Sequence, residues 1–173
     1  MNEVVKSLVE RRSIRSYKKE QVSEEQLRDI VLAGEYAPSG MGAQSAVMVV
    51  VQDPEVIRLL SRLNAEAMNQ SDTDPFYGAP TVIAVLADST VPTYLYDGAL
   101  VVGNLMNAAH AVGVDSCWIH RARETFAGAE GKTLLRKWGL SDDYVGVGNC
   151  ILGYRNCGYP PASPRKANYV VRV

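Results

Sequence analysis

Between Asp97 and Val112 the chain reads DGALVVGNLMNAAHAV, a long helical stretch with hardly a charge in it. A helix that offers water no polar face is buried nearly all round. Helices of that kind lie at the centre of a large core or at a subunit interface. A single domain of 173 residues is large enough to supply such a core, since chains of this size bury roughly 70% of their unfolded surface. With 47% hydrophobic and 21% charged residues, the composition is that of an ordinary globular domain.

The other elements follow from pattern and punctuation. A short amphipathic segment, Val4 to Val9, comes first. The first clear helix starts at Ser23, where Gln26 completes a capping box and Val22 can staple to Leu27. Leu27, Ile30, Val31 and Gly34 then form one buried stripe, and Pro38 stops the helix. Asp53-Pro54 is an N-cap followed by proline at the first helical position, opening a helix with Val56, Leu59, Leu60 and Leu63 on one side. Lys132 to Trp138 ends another helix at Gly139. Apolar runs at 46–52, 82–87, 114–119 and 145–152 read as buried strands. A last strand, Tyr169 to Val173, follows a Pro/Ser-rich connector from Pro160 to Pro164 and could as easily pair with another chain. Periodicity alone predicts an α/β fold with a largely parallel sheet.

Formal charge is -1, from 18 basic and 19 acidic side chains, so nothing asks for a nucleic-acid or anionic-membrane partner. No signal-peptide pattern and no apolar run of about 20 residues is present, which predicts a cytoplasmic protein. Cys117, Cys150 and Cys157 show no C-x-x-C spacing and fit reduced thiols. With two distant histidines they form no zinc constellation.

Arg11-Arg12-Ser13-Ile14-Arg15-Ser16-Tyr17 sets three guanidinium groups and a hydroxyl within five positions. A guanidinium grips two phosphate oxygens at once, and a serine hydroxyl donates to a third. The array suits a phosphate monoester, or an isoalloxazine edge that needs a nearby positive charge. The plain alternative is a solvated basic turn after a helix. Further along stand Ala37-Pro38-Ser39-Gly40-Met41-Gly42-Ala43-Gln44 and the run Val47 to Val51. A basic entry, a helix, a Pro-Ser-Gly loop with a Gln and then a strand resemble the opening of the FMN-dependent nitroreductase family. Gly153-Tyr154-Arg155, Ser163-Pro164-Arg165-Lys166, and Ser116-Cys117-Trp118-Ile119 after an Ala-Ala-His helix end resemble its later motifs.

The resemblance covers essentially the whole chain. It implies an α+β sandwich, with a mixed, mainly antiparallel sheet flanked by helices, in one domain over 1–173. It also implies an intertwined homodimer with shared sites, in which an arm of about 158–173 extends onto the partner. The implied activity is NAD(P)H-dependent: reducing equivalents pass through FMN to a nitroaromatic, quinone or similar acceptor by a two-step, ping-pong route. By position, Arg11, Ser13 and Arg165 map onto phosphate contacts, with Lys166 beside them. Arg12 has a more variable position, and Arg15 maps onto the cation beside flavin N1 and O2. Pro38, Ser39, Gly40 and Gln44 match the loop pattern, but Gly42 stands where the family usually has Asn, and Ser45-Ala46 replaces the usual Pro-Trp. Trp118, Ile119 and His120 map onto the segment beside flavin N5, with a backbone N–H of Ile119 or His120 as donor. His120 stands where many relatives have Gly, and would either narrow the space above the flavin or offer a substrate a donor. Rival readings are flavin fragmentation or dehalogenation on the same fold, and a non-catalytic flavin-binding module.

Other candidates read as structural. Gly146, Gly148 and Gly153 depart from G-x-G-x-x-G spacing and fall inside a strand, so they relieve crowding. His110 reads as a packed histidine and Cys117 as an inert buried thiol. Phe76 and Tyr77 border either a cavity or ordinary core.

Overall fold

Four apolar runs become the four strands of one sheet in the computed structural model, which describes all 173 residues. They are β1 (Ala46–Val51), β2 (Thr81–Asp88), β3 (Asp115–Ile119) and β4 (Tyr144–Gly153), in the order β1-β2-β4-β3. Every neighbouring pair is antiparallel. The only parallel contact is an isolated bridge between Ser13 and Ser116. The parallel sheet expected from periodicity is therefore wrong, for a clear reason. Continuous apolar runs report that both faces are covered, and helix layers can cover an antiparallel sheet as well as a parallel one.

Those layers are visible in the alternation of β2. Val82, Ala84 and Leu86 pack with Leu60 of α3 (Pro54–Ala67), Phe126 of α5 (Ala122–Ala127) and Leu135 of α6 (Ala129–Lys137). Ile83, Val85 and Ala87 face the other way, toward Ile30 of α2 (Glu24–Glu35) and Leu105 of α4 (Tyr94–Ala111). Each of the Val, Ile, Leu and Phe side chains among these, fully removed from water, contributes roughly 1.5–3 kcal/mol. The first helix, α1 (Glu3–Glu10), buries no residue.

Local signals set most boundaries. Asp53 accepts from the Glu55 N–H at 2.8 Å and caps α3. Gly139, at φ 76°, closes the end of α6 in the left-handed conformation. Ser23 caps α2 by accepting from the Gln26 N–H at 3.3 Å. The reciprocal half of the capping box is absent. The Gln26 carboxamide oxygen accepts from the Ser23 hydroxyl at 2.9 Å, not from its N–H. It also accepts from the Tyr154 hydroxyl at 2.6 Å, and Nε2 donates to the Val112 carbonyl at 2.8 Å, tying α2 to the end of α4 and to the residue after β4.

Three points go beyond the sequence pattern. α4 begins at Tyr94 and is buried along one face only, through Gly98, Val101, Val102, Leu105 and Ala109. Leu95, Tyr96 and Leu100, outside that stripe, are exposed. Tyr169 to Val173 forms no strand; these residues are exposed and no strand of this chain receives them. The short α5 went unseen, since its N-cap, Arg121, sits at φ 74° and provides no side-chain cap. The glycines of β4 do relieve crowding. A Cβ at Gly148 would stand 2.7 Å from the Trp118 indole, and one at Gly146 would stand 2.2 Å from the Ala122 carbonyl. No helix is long and apolar enough to cross a membrane.

Candidate functional site

The basic turn begins where α1 runs out of hydrogen-bond partners. Arg12 Nη1 donates to the carbonyls of Val9, Glu10 and Arg11 at 2.8, 3.0 and 2.8 Å, capping the negative end of the helix with its own side chain. From there the chain is pinned along edge strand β3. The Ile14 N–H donates to the Ser116 carbonyl at 3.1 Å, and Ile14 is buried. The buried Tyr17 hydroxyl donates back to the Ile14 carbonyl at 2.8 Å, and its removal from water holds its pKa far above the ordinary phenol value.

This turn leaves donors unused. Arg11 Nη1 and Arg12 Nε are buried with no partner, as is the hydroxyl of Ser116, the residue bridged to Ser13. A buried charged donor without an acceptor is costly, and here two stand on consecutive residues. The buried Cys150 thiol is pushed up by burial and by Cys117, and Arg11 pulls it down. Cys117 and Cys150 are both buried on opposite faces of the sheet.

Arg15 lies further on, in a cavity of about 390 Å³ whose walls include Gln70, Tyr77, Trp118, Ile119 and His120. Tyr77 thus borders a cavity whereas Phe76, beside it, is core. The end of β3 is held from beneath by Asn64, which is wholly buried and donates through Nδ2 to the His120 carbonyl at 2.7 Å. Arg121 follows at φ 74°, turning the chain into α5. Arg121 pairs with Glu124 at 2.8 Å, which holds the Glu124 carboxyl below its ordinary range.

The Pro38–Gln44 loop is elsewhere. It makes one 3-10 turn, Gly40–Gly42, with Met41, Gly42 and Gln44 at φ 53°, 67° and 48°. Nothing lies within 4 Å of where a Cβ on Gly42 would be, so glycine serves the backbone conformation there and not close packing. Ser39 Oγ accepts from the Gln44 N–H at 3.0 Å, and Pro38, Ser39, Gln44 and Asp97 line a separate cavity of about 380 Å³. Asp97 accepts from the Gly40 N–H at 2.9 Å and from the hydroxyls of Ser45 and Thr93 at 2.7 and 3.0 Å. These bonds, the Gly40 N–H foremost, hold its carboxyl below the usual carboxylate range.

One subunit therefore brings together Arg11, Arg12 and Ser13, and places Arg15 with Trp118, Ile119 and His120. It does not bring the loop to them. The loop feeds edge strand β1 and the basic turn runs along the opposite edge, β3. Three strand spacings of roughly 4.8 Å separate those edges, about 14 Å. Arg165 and Lys166 lie in the exposed tail, with Lys166 Nζ 5.3 Å over the Tyr169 ring. The root of that tail is anchored to the turn, because the Tyr159 hydroxyl donates to the Glu10 carbonyl at 2.7 Å and Arg155 pairs with buried Asp115. Ser116, Asn64 and Asp97 were not singled out from sequence. Each acts on a residue far away along the chain, and only the odd charge of Asp97 on an uncharged helix hinted at a role.

The nitroreductase family model matches residues 8–154. The chain belongs to the nitroreductase family. Among solved structures, it superposes on a nitroreductase with bound FMN from Bacteroides fragilis with a TM-score of 0.91, at 27% identity over 100% of both chains. A nitroreductase with bound FMN from Desulfitobacterium hafniense gives 0.89 at 28% identity, over 100% of this chain and 99% of that one. An Archaeoglobus fulgidus relative, provisionally named an NADH dehydrogenase/NAD(P)H nitroreductase, is 32% identical over 69% of this chain and 68% of its own length. The FMN reductase [NAD(P)H] of Bacillus subtilis is 48% identical over 63 residues, 36% of this chain and only 25% of that protein. The basic turn, the Pro38–Gln44 loop and the β3 segment all fall within the matched nitroreductase region, whereas Arg165 and Lys166 lie beyond it.

Proposed function

We propose that this nitroreductase-family oxidoreductase is an NAD(P)H-dependent FMN enzyme of the cytoplasm that reduces a nitroaromatic, a quinone or a similar small acceptor in two alternating half-reactions. The observation that carries this reading is the pair of buried, unpartnered donors Arg11 Nη1 and Arg12 Nε. A phosphate monoester is the acceptor they lack, and FMN ends in one. When bound, FMN supplies two-electron transfer between the nicotinamide and the acceptor.

The residues then divide the work. Arg11 and Ser13 hold the phosphate, with Arg165 and Lys166 joining from the tail, while Arg12 keeps Nη1 on α1 and offers Nε. Arg15 would supply a fixed positive charge to the flavin edge in that cavity, favouring its anionic reduced form. Trp118 and Ile119 would wall the ring, and the backbone N–H of Ile119 or His120 would be its donor. No side chain has to act as a nucleophile.

Two such sites belong to a homodimer. Val4, Val5, Leu8 and Val9 of α1 are exposed, as are Leu95, Tyr96 and Leu100 of α4 and the apolar tail residues Tyr169, Val170 and Val171. Single exposed apolar residues are ordinary, but this many on two helices and an arm call for cover. A second copy covering them would bring its own Pro38, Ser39, Gly40, Gly42 and Gln44 to this subunit's basic turn.

Purified protein should show flavin bands in visible light, bleached anaerobically by NADH or NADPH and restored by a quinone or nitroaromatic. A colourless protein that takes up no added FMN overturns the proposal, and flavin that neither nicotinamide bleaches overturns its catalytic part. His120, exposed at the cavity wall, should limit acceptor size. His120→Gly is expected to raise kcat/KM for bulky nitroaromatics more than for small quinones. Equal effects on both would show that the ring points away from the acceptor.

A further inference from the structure

We infer that Asp97 is a positioning residue for cofactor binding, and that it acts in trans: the carboxylate of one subunit sets the Ser39–Gln44 loop that serves the basic turn of the other. The inference rests on the flavin-binding homodimer proposed above.

One buried carboxylate closes the loop at both ends. Asp97 is 3% exposed; one oxygen takes the Gly40 N–H where the loop begins, and the other takes the Ser45 hydroxyl where it ends. Thr93 shares the second oxygen and also packs against Gly40, where a Cβ would meet Thr93 Oγ1 at 2.5 Å. Asp97 makes no ion pair with any Lys, Arg or His. A buried carboxylate without a counter-ion persists only where donors are aimed at it, and the first turn of α4 adds the favourable end of a helix dipole. Packing alone would be served as well by an apolar residue.

What is held this firmly touches nothing in its own subunit at its tip. Met41 is fully exposed, although it and Gln44 occupy the left-handed backbone region that L side chains rarely adopt. Strain maintained by a buried tie, at a tip that packs on nothing, is the mark of a segment shaped for another body. That body is not the basic turn of the same subunit, which lies on the far edge of the sheet.

The test is FMN titration of apo protein, wild type against Asp97→Asn and Asp97→Ala. The carboxamide of Asn can still accept the Gly40 N–H, and its NH₂ can donate to hydroxyls that rotate to accept it. The expected order of affinity is wild type, then Asn, then Ala, with at least a tenfold loss for Ala. Dimers mixed from differently tagged Arg11→Ala and Asp97→Ala chains carry the decisive result. Acting in trans, one site of the mixed dimer has both residues intact, so it should bind one FMN with near wild-type affinity while neither parent homodimer does. A mixed dimer with no tight site overturns the trans assignment, and unchanged affinity in both Asp97 variants overturns the role itself. Wild type without affinity for FMN would instead remove the function on which the inference rests.

Discussion

Arg11→Ala is expected to weaken FMN binding by about tenfold or more, and Arg165→Ala to do the same. A charge-assisted hydrogen bond to arginine contributes roughly 1.5–3 kcal/mol, one to two powers of ten in affinity. For Arg11 the expectation follows from a buried Nη1 with nothing to bond. For Arg165 it follows from the tether: the Tyr159 hydroxyl is fixed on the Glu10 carbonyl, one residue before Arg11. Six further residues span at most about 20 Å, so Arg165 stays within reach of the turn. Quenching of flavin fluorescence on titration measures both affinities. FAD should bind less well than FMN, because these residues suit a terminal phosphate. Wild-type affinity in both variants would remove the phosphate assignment.

Truncation after Pro164 should have the larger effect, because it removes Arg165, Lys166 and the exposed run Tyr169 to Val173 together. Loss of FMN and loss of the dimer should occur at once, whereas Arg165→Ala alone should cost mainly FMN. Obligate interfaces commonly bury 2,000 Å² or more, at the cost of a stable monomer. Analytical ultracentrifugation at micromolar concentration separates the two variants. A truncated chain that sediments as a flavin-loaded dimer would mean that the arm lies on its own subunit, and a flavin-loaded wild-type monomer would end the case for a shared site.

Features decided within a few residues of chain were legible without coordinates. Asp53 before Pro54, Ser23 before α2, Pro38 after it and Gly139 after α6 all stand where their local chemistry places them. The basic turn and the loop were legible as well, since guanidinium groups and left-handed glycines declare themselves. Strand direction was not, because an apolar run looks the same beneath helices whichever way its neighbour runs. Gln26 has the sequence of a capping-box partner and does bond the Ser23 hydroxyl, yet its carboxamide also reaches Val112 and Tyr154, and no local pattern encodes that reach. Arg12 reads as the more variable member of the basic turn, and it commits one nitrogen to the end of α1. Asn64, Asp97 and Ser116 are ordinary polar residues until the fold carries them to a distant carbonyl, loop or bridge.

α1 has a consequence beyond its eight residues. A helix that short does not hold together unaided, and this one has Asn2 at its head and Arg12 and the Tyr159 hydroxyl at its foot, with no buried side chain between them. In a lone subunit its ordering competes with melting, and melting would release the Arg12 guanidinium and loosen the turn that begins at Arg11. In the proposed dimer, a neighbouring chain laid on Val4, Leu8 and Val9 would bring that ordering about in advance, and an anion at the turn would favour it from the other side. Two binding events that draw on the same ordering are coupled, and such coupling is reciprocal. Each would then raise the affinity of the other by the same factor, whichever arrives first.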